Sequence, residues 1–162
     1  MNTPTARSSG QIVVAGAGYA GLHVALRLTA KLRKNSKMEL TLVDRHDYHQ
    51  AITELPRVAA GTRAAGAVRI PLQDMLATRV RFVQAEITGF DLAGRRLRTE
   101  VGPIGWSRLV LALGSKPNDF AIPGLAERAL SVYSASDAER VWEAANQALT
   151  AAAAETDPER QP

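Results

Sequence analysis

Short apolar runs alternate with polar, glycine-bearing segments along this chain. The run Ile12-Val13-Val14-Ala15 predicts a first strand, and it stops at Gly16-Ala17-Gly18-Tyr19-Ala20-Gly21. From about Ala20 to Leu32 the apolar residues recur at helical spacing, which predicts a helix with Leu22, Ala25, Leu26 and Thr29 facing a sheet and His23 and Arg27 facing water. Lys31 to Lys37 reads as an exposed connection, and Glu39-Leu40-Thr41-Leu42-Val43-Asp44 as a second strand. A polar stretch, Arg45 to Gln50, leads into Ile52, Leu55, Val58 and Ala59, which keep helical spacing with Gly61 as a C-cap. Pro56 lacks an N–H and crowds the preceding turn, so a break is expected there, or a helix that starts near it. Thr62 to Val68 reads as loop, and Pro71 as the first position of a short helix from Leu72 to Ala77.

The second half of the pattern is different in kind. Val80 to Ala85 alternates and predicts a third parallel strand. Instead of another crossover helix, Glu86 to Asp91, the turn Leu92-Ala93-Gly94 and Arg95 to Thr99 predict a β-meander, closed by Gly102 to Trp106. Leu109 to Leu113 is an apolar run of the kind buried on both faces of a sheet, and it ends at Gly114-Ser115. Lys116 to Gly124 is a proline-punctuated loop. Ser136-Asp137-Ala138-Glu139 predicts a capping box for a last helix with Ala138, Val141, Trp142, Ala145 and Leu149 on one stripe. The fold class expected is α/β, a Rossmann-like parallel sheet with a β-meander insertion, incomplete, over residues 11–150. Residues 1–10 and 151–162 are expected to be disordered, and no internal repeat or second domain is expected.

The chemistry concentrates in the first turn. A strand, a G-x-G-x-x-G turn and a helix form a dinucleotide-binding unit when a second strand ends in an acid roughly 20 residues on. Asp44 follows Gly21 by 23 residues at the end of such a strand. Gly16 permits the sharp turn, Gly18 permits backbone approach to a pyrophosphate, and Gly21 permits close packing of the helix. The helix N-terminus adds unpaired N–H groups and a favourable dipole. The acid suits NAD as well as FAD, so this turn alone leaves the nucleotide open.

Composition narrows the classes. The 162 residues suit one domain or slightly more, and 46% hydrophobic with 22% charged residues reads as globular. With no cysteine there is no disulfide or thiolate metal site. His23, His46 and His49 are not spaced as metal ligands and read as solvated or loop histidines. The net charge of +4 gathers modestly at Lys31, Arg33, Lys34 and Lys37 and at Arg95, Arg96 and Arg98, with no interleaved aromatics, so no nucleic-acid partner is expected. The first ten residues lack the apolar core of a signal peptide, and no run approaches the roughly 20 apolar residues of a membrane span, which makes the cytoplasm the expected compartment.

Seven blocks in order carry a family resemblance: GAGYAG at 16–21, VDRHDYH at 43–49, TEL at 53–55, VAAGT at 58–62, RIPLQDML at 69–76, VRFVQAEI at 80–87 and LVLALGSKPNDFAIPGL at 109–125. Together they resemble the N-terminal part of type II NADH dehydrogenases, single-chain FAD enzymes of the two-dinucleotide-binding-domain flavoprotein superfamily. The resemblance implies that Gly16, Gly18, Tyr19, Ala20 and Gly21 form the FAD pyrophosphate turn. It implies that Asp44 bonds the adenosine ribose, that Arg45 lies beside the adenine and that the backbone of Ile87 reads the adenine edge. Ala112 and Gly114 would lie against the flavin diphosphate side, and the loop from Tyr48 to Leu55 would approach the isoalloxazine ring. No catalytic acid, base or nucleophile is implied.

The function expected is therefore the FAD-binding portion of an NADH:quinone-type oxidoreductase, inactive as this chain alone, because one G-x-G-x-x-G is present where such an enzyme needs two. A second polypeptide carrying the NADH-binding half, or self-association, is the expected partner, with peripheral membrane contact only in a complete enzyme. A non-catalytic nucleotide-binding or interaction module and a plain NAD(P)-binding Rossmann protein are the alternatives.

Overall fold

A computed structural model describes residues 10–32 and 37–155. Most of the expected lead, part of the connection after the first helix, including Arg33 and Lys34, and the tail beyond residue 155 lie outside the described residues. In chain order the elements are β1 (Gln11–Ala15), α1 (Tyr19–Lys31), β2 (Glu39–Asp44), β3 (Tyr48–Gln50), α2 (Leu55–Ala59), β4 (Arg69–Pro71), α3 (Leu72–Met75), β5 (Val80–Gln84), β6 (Ile87–Asp91), β7 (Arg96–Thr99), β8 (Ile104–Gly105), β9 (Arg108–Leu111), α4 (Leu125–Arg128) and α5 (Ala135–Ala154). They gather into two compact units, one from the residues up to His49 together with Pro71–Gly114, the other from Gln50–Ile70 together with the residues from Ser115 on.

The first unit is built on a parallel sheet of order β5-β2-β1-β9. Val13 lies between Thr41 and Leu109, and Thr41 beside Arg81. Side chains alternate across a strand, so one strand serves two cores. Ile12, Val14, Leu40 and Leu42 pack with Leu22 and Ala25 of α1 and with Leu72 of α3. Val13, Ala15 and Val43 point the other way and pack with Ala85 and Leu97. Leu97 belongs to the antiparallel meander β6-β7-β8, where it pairs with Phe90 on one side and Ile104 on the other. It is fully buried, and burial of such a side chain contributes about 1.5–3 kcal/mol, which fixes the meander to the sheet.

Two expectations in this unit are corrected. Leu26 is 37% exposed, because the buried stripe of α1 runs through Leu22 and Ala25 to the half-buried Leu28 and Leu32 and leaves Leu26 on its flank. The run Leu109 to Leu113 is not buried on both faces. β9 is the edge strand and pairs with β1 alone among the described residues, and Leu111 and Leu113 are 58% and 54% exposed.

In the second unit α2 does begin beside Pro56, which sits in its first turn where no N–H is needed. Gly61, at φ +68°, ends it and donates its N–H to the Val58 carbonyl. Leu55 and Val58 pack with Ala65, Val68, Ala135 and Ala138. Residues 65–68 form a 3-10 turn rather than open loop, since Ala65 and Val68 must face that core. The last helix starts earlier than Ser136. Its N-cap is Ser134, whose hydroxyl accepts from the Asp137 N–H at 3.1 Å while its own N–H donates to the Asp137 carboxylate at 2.9 Å. The expected stripe is covered only at its start: Ala138 is buried, but Trp142 and Leu149 are exposed. The helix continues to Ala154, so residues 151–154 are helical and not part of a disordered tail. Among the described residues no helix is long and apolar enough to cross a membrane.

Candidate functional site

Because β5, β2, β1 and β9 are parallel, Gln84, Asp44, Ala15 and Leu111 all end at one edge of the sheet. Ligands of open α/β sheets bind beyond that edge. The chain leaves β1 through Gly16 at φ +101°, and the Gly16 N–H donates to the Val43 carbonyl at 2.8 Å. A Cβ on Gly16 would stand 2.2 Å from the Ala112 carbonyl oxygen, and one on Gly21 would stand 1.8 Å from the Gly16 carbonyl oxygen and 3.2 Å from the Ala112 Cβ. Those two glycines are required by the protein's own packing. Gly18 differs, because a Cβ there would meet nothing within 4 Å. It is the N-cap of α1, where no side chain caps the helix and no acid occupies the first turn. The turn therefore offers an uncrowded, glycine-lined helix N-terminus, which fits a dinucleotide pyrophosphate.

Asp44 is tied to this turn. Its Oδ2 accepts from the Ala17 N–H at 2.6 Å and its Oδ1 from the His46 N–H at 2.9 Å. A carboxylate has about four acceptor sites, so two bonds leave capacity for a hydroxyl donor. Arg45 is exposed, with its guanidinium 3.9 Å from the Glu86 carboxylate and its carbonyl accepting from the Gln84 side chain at 3.2 Å. Such a surface pair contributes about 0–1 kcal/mol and leaves the guanidinium easily redirected. Ile87 opens β6 just beyond Glu86 and pairs with Thr99. Tyr19 and Ala20 form the exposed first turn of α1, and Gly114, at φ +76°, lies two residues past Ala112. The structure thus knits Gly16, Ala17, Gly21, Asp44 and Ala112 together by direct contact and sets Arg45 against Glu86, next in sequence to Ile87, at the adjoining strand end.

The reading of all three histidines as solvated or loop residues is corrected at one position, His49, which lies buried in a strand. His23 and His46 are exposed, but His49 is only 4% exposed. Its Nδ1 lies 3.0 Å from the Ala17 carbonyl oxygen, and its ring meets Tyr19 edge-on with centroids 4.6 Å apart. Tyr48-His49-Gln50 is a short strand with its middle residue turned inward, a placement that the polar run of residues there does not signal. His46 stacks on Tyr48 at 4.9 Å. No cluster of residues suited to a metal ion occurs among the described residues.

Both the sequence and the fold have matches among known proteins. Residues 10–152 match the family described as pyridine nucleotide-disulphide oxidoreductase. Over 123 residues, 75% of this chain, the sequence is 34% identical to a type II NADH:quinone oxidoreductase of Staphylococcus aureus, of which the match covers 30%. The chain thus spans about a third of the length of the curated relatives it matches. A sulfide:quinone oxidoreductase from Aquifex aeolicus superposes with TM-score 0.76 at 22% identity, over 87% of this chain and 32% of the other. NDH2 from Plasmodium falciparum in complex with NADH superposes with TM-score 0.76 at 19% identity, over 94% and 32%. At those identities the likeness is one of fold.

Proposed function

Because the chain belongs to the pyridine nucleotide-disulphide oxidoreductase family, we propose that it is the FAD-binding portion of a type II NADH dehydrogenase-like oxidoreductase. The observation that carries the reading is the contrast within the glycine turn. Gly16 and Gly21 are closed by the Ala112 and Gly16 backbones, while Gly18 lies open at an uncapped helix N-terminus. The pyrophosphate would rest on Gly18, Tyr19 and Ala20, and the spare lone pairs of Asp44 would take the adenosine ribose. Arg45 and the backbone of Ile87 would bound the adenine. Ala112 and Gly114 would face the flavin diphosphate side. Bound FAD supplies hydride acceptance and onward electron transfer, and the residues of this chain bind and orient it without donating or removing a proton.

NADH would be held by residues outside this sequence, in the same chain or in a second polypeptide, because the sequence contains one G-x-G-x-x-G. The exposed Leu111 and Leu113 at the edge strand suit burial against such residues and favour self-association in their absence.

The test is a titration of the purified chain with FAD, followed by competition with NADH. Saturable FAD binding that NADH does not displace supports the reading. Binding of NADH in preference to FAD would make it a plain NAD-binding Rossmann protein, for which Asp44 is equally suited.

A further inference from the structure

His49 is a polar side chain, 4% exposed, held 3.0 Å from the Ala17 carbonyl oxygen. A carbonyl oxygen only accepts, so the hydrogen of this bond sits on Nδ1. No peptide among the described residues is cis. In a trans peptide the C=O and N–H point in opposite directions, so fixing the Ala17 carbonyl toward His49 fixes the Gly18 N–H away from it. The preceding peptide is held independently by the Ala17 N–H bond to Asp44 at 2.6 Å. Gly18 brings no side chain to resist a flip of the Ala17–Gly18 peptide, and nothing lies within 4 Å of where its Cβ would be. The Tyr19 ring, edge-on at 4.6 Å and 78°, restrains the imidazole in turn.

Resting on the FAD reading above, we infer that His49 is a positioning residue that aims the Gly18 N–H at the dinucleotide pyrophosphate without touching the cofactor itself. The ligands it serves are those that carry a pyrophosphate, because the donor it orients is the first of the helix N-terminus.

The test uses the full chain and three variants, titrated with FAD by flavin fluorescence, with the melting point of each taken without FAD. His49→Asn keeps an amide donor near the Nδ1 position, His49→Gln moves it one carbon further, and His49→Leu removes it. Loss of a hydrogen bond that orients a charge-binding donor predicts FAD affinity about tenfold or more weaker in His49→Leu, and within about threefold of the parent in His49→Asn. If His49→Leu also melts lower, the decision passes to the two amides: tighter FAD binding by Asn than by Gln supports the role, and equal binding overturns it. Binding by His49→Leu within about twofold of the parent overturns the positioning role while leaving the FAD reading intact. A parent chain that takes up no FAD overturns the FAD reading and this role with it.

Discussion

Gly21 lies so close to Gly16 that a Cβ on it would stand 1.8 Å from the Gly16 carbonyl oxygen. The obstacle is backbone at a strand end, itself held by the Gly16 N–H bond to Val43, so it has no flexible side chain to swing aside. Gly21→Ala would gain about 1 kcal/mol of helix propensity. The forced shift costs about 1–3 kcal/mol, and a contact this short belongs at the upper end or beyond. The variant should unfold at lower urea than the parent. An unchanged midpoint would mean that α1 and the turn are not packed in this way.

Gly18→Ala should behave in the opposite manner. Gly18 has φ −66°, which alanine adopts without strain, and no atom lies near the added methyl. Its stability should match the parent or exceed it by up to about 1 kcal/mol through reduced freedom of the unfolded chain. FAD affinity should fall about tenfold or more, because the methyl occupies the space through which a pyrophosphate approaches the amides. Unaltered affinity with unaltered stability would move the pyrophosphate off this face of the turn.

These two glycines also show why the turn was legible from the residues while other features were not. Spacing alone placed Gly16, Gly18, Gly21 and Asp44, because a close-packed βαβ turn tolerates few alternatives at those positions. The unbroken apolar run Ile12 to Ala15 did give the first strand, and the structure covers it on both faces, Ile12 and Val14 on one, Val13 and Ala15 on the other. An apolar run such as Leu109 to Leu113 reports what could be buried, not which neighbour is present to bury it, so the exposure of Leu111 and Leu113 was invisible. Two serines, Ser134 and Ser136, each precede an acid by three residues, and only the backbone shows that the box closes on Asp137. His49 was missed because its partner, the Ala17 carbonyl, is 32 residues away and carries no side-chain signature.

Asp44→Asn separates the structural role of this carboxylate from its proposed role at the ribose. One oxygen of the amide can still accept from an N–H, but the other becomes a donor, so either Ala17 N–H or His46 N–H loses its acceptor. Leaving a half-buried amide unpaired costs about 1–3 kcal/mol, and the apo protein should melt lower by a corresponding amount. FAD affinity should fall by more than that disturbance of the turn alone produces, which Ala17→Gly, a change that keeps the backbone donor, serves to calibrate. Equal losses of FAD affinity in the two variants would confine Asp44 to holding the turn.

The cap of α5 makes a prediction in pH. Hydrogen bonding from Ser134 holds the Asp137 carboxyl below the usual carboxylate range, partial burial opposes that effect, and Arg140, which pairs with the carboxylate, reinforces it. A folded-state value lower than the unfolded one means that the unfolded chain binds the extra proton first. The contribution is therefore complete above about pH 4 and is lost as pH falls through the folded value. Ser134→Ala should cost about 0.5–2 kcal/mol at pH 7, read as a lower urea midpoint followed by helical circular dichroism. At lower pH the parent loses what its Ser134 hydroxyl gains from the ionised carboxylate, which the alanine variant never has, while the backbone N–H bond at position 134 is lost from both, so the gap between parent and variant should narrow as the solution is acidified below pH 4. A gap of constant size from pH 7 to pH 3 would show that the Ser134 hydroxyl gains nothing from the Asp137 charge, and that its bond from the Asp137 N–H accounts for the whole difference.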